Sequence, residues 1–128
     1  KYLKLNDVFT EDEGFFKWIS CSCKCIKELH LEDIFGINQI TIESSSLKSF
    51  SFVLDSLVYI DLILSISAEK LEDILVLVHL DHHNCLKNLV NIFAPNLKYL
   101  KLSGDEVWIG QSLGKSTSLE KAEFFSGI

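Results

Sequence analysis

Val90–Leu102 reads VNIFAPNLKYLKL. Val90 and Ile92 are apolar at alternate positions, Ala94 and Pro95 make a small, turn-prone corner, and Leu97, Leu100 and Leu102 follow with the spacing Leu-x-x-Leu-x-Leu. The same pattern occurs twice upstream, in Ile40–Phe52 (ITIESSSLKSFSF) and Leu64–Val76 (LSISAEKLEDILV). The anchor leucines are Leu47, Leu71 and Leu97, so nearly equal lengths of chain separate consecutive anchors. Alternation at period two predicts strands. A recurring interval of roughly 20–29 residues predicts that each repeat is one unit stacked on the next, so that neighbours bury a continuous core.

Three further stretches carry the second half of the pattern. Ile26–Leu31 (IKELHL) and Leu119–Phe124 (LEKAEF) match it throughout, and Tyr2–Leu5 matches from its second position. Three residues before the anchors stand Cys23, Ser44, Ala68, Ala94 and Ser116, all small. A tight corner between two sides of a coil requires that, because a larger side chain would collide with the next coil. The fold class read from this register is α/β: a leucine-rich repeat solenoid with a curved parallel sheet. The irregular repeats, about six of them, are each roughly 21–26 residues long, an interval typical of this class. With one N-terminal helix they form a single domain over residues 1–128. The register places Leu3, Leu29, Phe50, Ile74, Leu100 and Ala122 in one buried column. Val107–Ile109 has the composition of a further strand, set between Gly104 and Gly110.

The helix is expected from Thr10–Glu13, which has the form of a capping box, with Thr10 accepting a backbone N–H and Glu13 reaching back. Phe15, Phe16, Trp18 and Ile19 supply its apolar content, and its end is expected near Ser20–Cys21. The chain begins inside a strand, without a methionine or a visible secretory signal, and is therefore read as part of a longer polypeptide whose ends here carry no polar cap.

Composition narrows the function classes. Hydrophobic residues make up 48% of the chain, enough for a continuous core, yet no run reaches the ~18 apolar residues of a membrane helix. The net charge of −6 disfavours nucleic-acid binding, which needs clustered Lys and Arg. No glycine-rich phosphate loop occurs, and no cofactor is implied. The run Cys21, Cys23, Cys25 lacks the spacing of common zinc-binding pairs, and Cys23 has a packing role at a corner. His79, His82, His83 and Cys85 form a second cluster, but Asp81, His82, His83 and Asn84 read as a solvated loop, and no third residue orients a Cys–His pair for catalysis. The expectation is a non-catalytic protein with no metal.

In Leu-x-x-Leu-x-Leu the leucines point inward and the intervening residues outward. On the outward face Val53, Leu75 and Leu77 are expected to form an apolar patch flanked by Tyr99 and Lys101. With Asp73 these are the candidate residues for contact with a protein partner. Such a patch marks either a partner site or surface covered by other parts of a longer protein.

Several segments resemble the plant F-box/leucine-rich-repeat proteins. Leu3–Phe9 with the acidic turn and Phe-rich helix is similar to their opening repeat, and Cys23–Asp33 (CKCIKELHLED) resembles their Cys-Pro-x-Leu-Glu-x-Leu segment. Ser44–Phe50 and Ala94–Leu102 are similar to their Ser/Ala-Pro-x-Leu-x-x-Leu corners. The departures are Lys24 at the usual proline and Val8, Ile34, Asp55, His79 and Asp105 where the plain repeat has Asn or Cys. Neither an F-box nor an FBD segment is evident in the chain. The resemblance implies recognition of a ubiquitination substrate for a cullin-RING ligase, in the cytoplasm or nucleus. The ligase adaptor would be engaged only through an F-box that is absent from these 128 residues. The alternatives are a structural repeat segment without binding activity of its own and the repeat part of a receptor ectodomain.

Overall fold

The computed structural model describes residues 2–12, 14–22, 25–37, 39–54, 63–78, 88–104, 107–109 and 121–125. Among them the chain alternates between two parallel sheets. The first, sheet A, is formed by β1 (Tyr2–Phe9), β2 (Glu28–Phe35), β4 (Ser49–Leu54), β6 (Asp73–Val78), β8 (Tyr99–Gly104) and β10 (Lys121–Phe125), in that order. The second, sheet B, is formed by β3 (Gln39–Ser44), β5 (Ile63–Ala68), β7 (Asn88–Phe93) and β9 (Val107–Ile109). From β2 onward, successive strands of one sheet are separated by one strand of the other, and a helix takes that place between β1 and β2, so the chain winds as a repeat solenoid of parallel strands. Strands predominate: the described residues contain one α-helix, α1 (Phe15–Ser22), and the far side of the coils is built from strands. No helix among the described residues is long and apolar enough to cross a membrane.

The register follows from side-chain alternation. Leu3 pairs with Leu29, Leu29 with Phe50, Phe50 with Ile74, Ile74 with Leu100, and Leu100 with Ala122. Leu29, Phe50, Ile74 and Leu100 are buried, whereas Leu3, on the outer strand, is half-buried. Leu31, Phe52, Val76 and Leu102 form the next buried row. From the other side Ile40, Leu64 and Val90, then Ile42, Ile66 and Ile92, stack in the same way. The anchors Leu47, Leu71 and Leu97 close the core between the sheets. A slip of one residue would turn either row of a strand out to water, and this fixes the register.

β1 and β2 share a kink near their ends. Asp7 and Asp33, at equivalent places on the two adjacent strands, both adopt left-handed backbone, with φ of 55° and 51°. The pairing skips them and resumes at Val8 with Ile34. The kink rephases the alternation, so Ile34 rather than Asp33 turns into the core. Short polar Asp is among the few non-glycine side chains that tolerate this conformation.

The corners bear directly on the small-residue argument. Ala68 and Ala94 are buried, and their carbonyls accept from the N–H groups of Leu71 (3.4 Å) and Leu97 (3.0 Å). Ser44 is half-buried rather than enclosed, and its hydroxyl takes over the carbonyl's task. Its Oγ accepts from the N–H groups of Ser46 (3.2 Å) and Leu47 (3.1 Å). Ser46, the one buried polar side chain among the described residues, is satisfied by donating to the Ile26 carbonyl at 2.9 Å. Cys23 and Ser116 lie outside the described residues. Replacing Ala68 with Leu is expected to destabilise the chain by about 1–3 kcal/mol through overpacking. An unchanged urea midpoint would count against the corner argument.

A line of forked backbone hydrogen bonds runs from coil to coil just before sheet A. The Lys27 carbonyl accepts from the N–H groups of Lys48 and Ser49, at 2.8 and 3.0 Å. The Lys48 carbonyl accepts from Glu72 and Asp73, at 2.9 and 3.2 Å, and the Glu72 carbonyl from Lys98 and Tyr99, both at 2.9 Å. Each coil thereby sets the point at which the next one enters the sheet.

The helix begins later than expected. Thr10 N–H donates to the Phe35 carbonyl at 2.9 Å, which holds Thr10 beside the end of β2 and prevents it from opening a helix. Capping passes to Asp12, whose Oδ1 accepts from Gly14 N–H at 2.9 Å, while Thr10 Oγ1 accepts from Asp12 N–H. Glu13, the other half of the expected box, lies outside the described residues. Phe16 and Ile19 are buried and Phe15 is half-buried, but Trp18 faces solvent, 64% exposed. So short a helix is marginal alone. α1 is held by packing on β3, with Lys17 Nζ 3.5 Å from Glu43 Oε2 and the Cys21 thiol donating to the Glu43 carbonyl at 3.4 Å. It thus covers the side of sheet B at β3.

Candidate functional site

Asp73, Leu75 and Leu77 project alternately from β6 on the side of sheet A away from the core, because Ile74 and Val76 take the inward positions. The neighbouring strands present equivalent residues at the same heights. Asp73 lies between Ser49 and Tyr99, Leu75 between Ser51 and Lys101, and Leu77 between Val53 and Ser103. The six residues singled out in the sequence therefore share one face of three adjacent strands. Val53, Leu75 and Leu77 are half-buried, while Asp73, Tyr99 and Lys101 are exposed.

Four of the six bound a common groove. It has a volume of about 340 Å³ and is lined by Asp73, Leu75, Tyr99 and Lys101 together with Ser49, Ser51 and the backbone of the intervening core residues. Val53 and Leu77 stand beyond it, side by side on β4 and β6, with Glu32 next to Val53 on β2. The apolar patch is thus divided: Leu75 belongs to the groove, and the Val53–Leu77 pair forms a separate ridge towards the strand ends. Ser49 and Ser51 were not among the candidates, although they make the depression. The available signal was size, since β4 sets two serines outward where β6 and β8 set Asp, Leu, Tyr and Lys. A smaller groove of about 130 Å³ crosses sheet B between Thr41, Ser65 and Asn91 on one side and Glu43, Ser67 and Phe93 on the other.

At the entry end of the strands the carboxylates Glu28, Glu72 and Asp73 stand among the lysines Lys27, Lys48 and Lys98. Burial raises the Asp73 pKa above its ordinary value, the carboxylates of Glu72 and Glu28 push the same way, and Lys98 opposes them. Lys98 lies 3.9 Å from Glu72. Nearer β1, Glu32 collects both Lys4 and His30 at 3.8 Å. Cys21 and Cys25 are exposed thiols, and Cys21 is turned towards Glu43 rather than towards another cysteine. His79, His82, His83 and Cys85 lie outside the described residues.

Comparison with protein-family models, with curated proteins and with solved structures finds no match to this chain.

The raised pKa has a consequence for stability. Between the ordinary value of 3.8 and the raised one, the folded chain holds more proton at Asp73 than the unfolded chain does. Stability is therefore lost as pH rises through that window. The penalty is absent below the ordinary value and complete above the raised one. Asp73→Asn removes it. The variant is expected to be more stable than the parent at pH 7, by no more than about 0.5 kcal/mol for an exposed group, and equal to it at pH 3. Urea midpoints at the two pH values check this, and a variant less stable at pH 7 would contradict the assignment.

Proposed function

We propose that this chain is a leucine-rich repeat region whose work is non-catalytic protein recognition. The recognising surface is the outward face of β4, β6 and β8. The observation that carries this reading is the groove between Asp73, Leu75, Tyr99 and Lys101, where aromatic, aliphatic and charged side chains converge on rigid strands. Such a mixture of an apolar lining with a few placed polar groups suits a binding site. The leucine-rich identity is supported by the buried anchors Leu47, Leu71 and Leu97 and by parallel strands that follow each of them. The far-side strands and the missing asparagine positions make the repeats irregular members of that class.

Residues 23–33, 44–50 and 94–102 support a closer assignment, to the repeat region of a plant F-box protein that selects substrates for a cullin-RING ubiquitin ligase inside the cell. In that setting the sheet A face receives the substrate, and the adaptor is engaged by an F-box elsewhere in the parent protein. Proximity labelling in plant cells with the parent protein tests both levels. A Leu75→Lys/Tyr99→Ala variant is expected to lose a defined set of labelled proteins that Ser65→Lys, on sheet B, retains. Identical sets for all three forms would remove the assignment of this face, and the absence of ligase subunits from every set would remove the ligase reading.

A further inference from the structure

The groove is asymmetric in charge and shape, and this limits what enters it. Its floor at Ser49 and Ser51 is low because serine is the smallest side chain on this part of the face. One wall is Tyr99, 45% exposed, paired in register with Asp73; the other components are the half-buried Leu75 and, opposite it, Lys101. At the Asp73 end three carboxylates, Glu28, Glu72 and Asp73, interact against one ammonium, Lys98. At the other end Lys101 repels a second positive charge. The volume of about 340 Å³ is near the bottom of the range for ligand cavities, roughly 300–1,000 Å³, and suits one long side chain with its adjoining backbone.

We infer that this groove is a pocket for a single basic side chain, arginine in preference to lysine, presented by an extended segment of a partner protein. The inference rests on the recognition role proposed above. The guanidinium lies against the Tyr99 ring and within reach of the Asp73 carboxylate, and its methylene stem covers Leu75. Arginine is favoured because its flat cation stacks on an aromatic face while donating two hydrogen bonds to one carboxylate, which an ammonium cannot match. Lys101 sets polarity: the ligand's charge points towards Asp73 and its backbone towards Lys101. The overall charge of −6 attracts a cationic segment to the surface before docking. Ionisation of Asp73 is less favourable than for an ordinary aspartate, through burial and the neighbouring carboxylates, and a bound cation offsets this.

Three blocked peptides test the pocket: acetyl-Gly-Arg-Gly-amide, the same peptide with neutral, nearly isosteric citrulline, and the same peptide with glutamate. Each is titrated into the ¹⁵N-labelled chain and followed by amide chemical shifts. The arginine peptide is expected to shift Ser51, Asp73 and Tyr99 saturably while leaving Thr41 and Ser65 on sheet B unmoved. The citrulline peptide should bind roughly five- to tenfold more weakly, as should the arginine peptide to Asp73→Asn or to Tyr99→Leu. Unchanged sheet B shifts in each variant establish that it is folded. Equal binding of arginine and citrulline, or equal binding by the parent and Asp73→Asn, overturns the inference. If the glutamate peptide shifts these amides and the arginine peptide does not, the face still receives peptides and only the basic pocket is lost. If no peptide shifts them, the basic pocket is lost while the labelling comparison continues to judge the recognition role.

Discussion

Phe50→Ala is expected to lower the unfolding free energy by about 3–5 kcal/mol, the usual cost of truncating a buried aromatic. Phe50 is 1% exposed and stands in the middle of sheet A, paired with Leu29 on one side and Ile74 on the other. Neither neighbour can move into the vacated space without leaving its own strand position, so the cavity stays open. Phe50→Leu retains most of the volume and should lose much less. Trp18→Ala removes an even larger side chain, but one exposed on α1, and should change stability by no more than about 0.5 kcal/mol. Equilibrium urea unfolding of the three variants supplies the ranking. A loss below about 1 kcal/mol for Phe50→Ala, far under the range for a buried aromatic, would mean that the core is not organised by this column. So would a Trp18→Ala variant as weak as Phe50→Ala.

Gly36→Ala is expected to cost about 2–6 kcal/mol, by a different route that combines backbone strain with overlap. Gly36 follows β2 with φ of +97°, a backbone conformation that L side chains rarely adopt. An added Cβ would fall inside van der Waals contact of the Thr10 carbonyl oxygen and lie 3.1 Å from the Phe9 ring. The strain and the overlap each contribute about 1–3 kcal/mol. Thr10 cannot retreat, since its N–H is bonded to the Phe35 carbonyl, immediately before the glycine. The damage should therefore spread to the start of α1. Amide exchange offers the check: faster exchange at Thr10 and in residues 15–22, with β6 and β8 protected as in the parent, is the expected pattern. Uniform loss across all coils would indicate that the first coil is not a separate zone of stability.

The strand register was legible in the sequence because two independent constraints coincide there. Leu-x-x-Leu-x-Leu sets the inward side of sheet A, and the alternate pairs Ile40/Ile42, Leu64/Ile66 and Val90/Ile92 set that of sheet B. The helix boundary was less legible: the Thr10–Glu13 signal is local, whereas the Thr10–Phe35 bond that overrides it joins the ends of two strands with the whole of α1 between them. The left-handed aspartates at 7 and 33 left only their equivalent places in two repeats as a trace, since Asp is equally at home in ordinary turns. At the face, sequence placed the outward residues on the correct strands but treated Val53, Leu75 and Leu77 as one patch. Whether outward side chains enclose a groove depends on the sizes of their neighbours across strands, and the two serines of β4 decide it.

The forked hydrogen bonds at Lys27, Lys48 and Glu72 also define how such a chain can change over generations. They use only main-chain atoms, so they place no demand on residue type, and among the described residues they join β2, β4, β6 and β8 across coils of different length. Excision of residues 48–71 joins Leu47 directly to Glu72. The Lys27 carbonyl then meets the amides of Glu72 and Asp73 in place of those of Lys48 and Ser49. Leu29 comes opposite Ile74, and Ile40 opposite Val90. No donor is orphaned at the joint, and the anchor leucine, the corner and both strand rows are complete. The shortened chain should keep the circular-dichroism band shape of the parent, and a random-coil spectrum would refute the equivalence. Duplication runs the same operation in reverse. The coil, cut at this seam, is therefore geometrically interchangeable with its neighbours, and removal of the 48–71 unit deletes the two serines that hollow the groove.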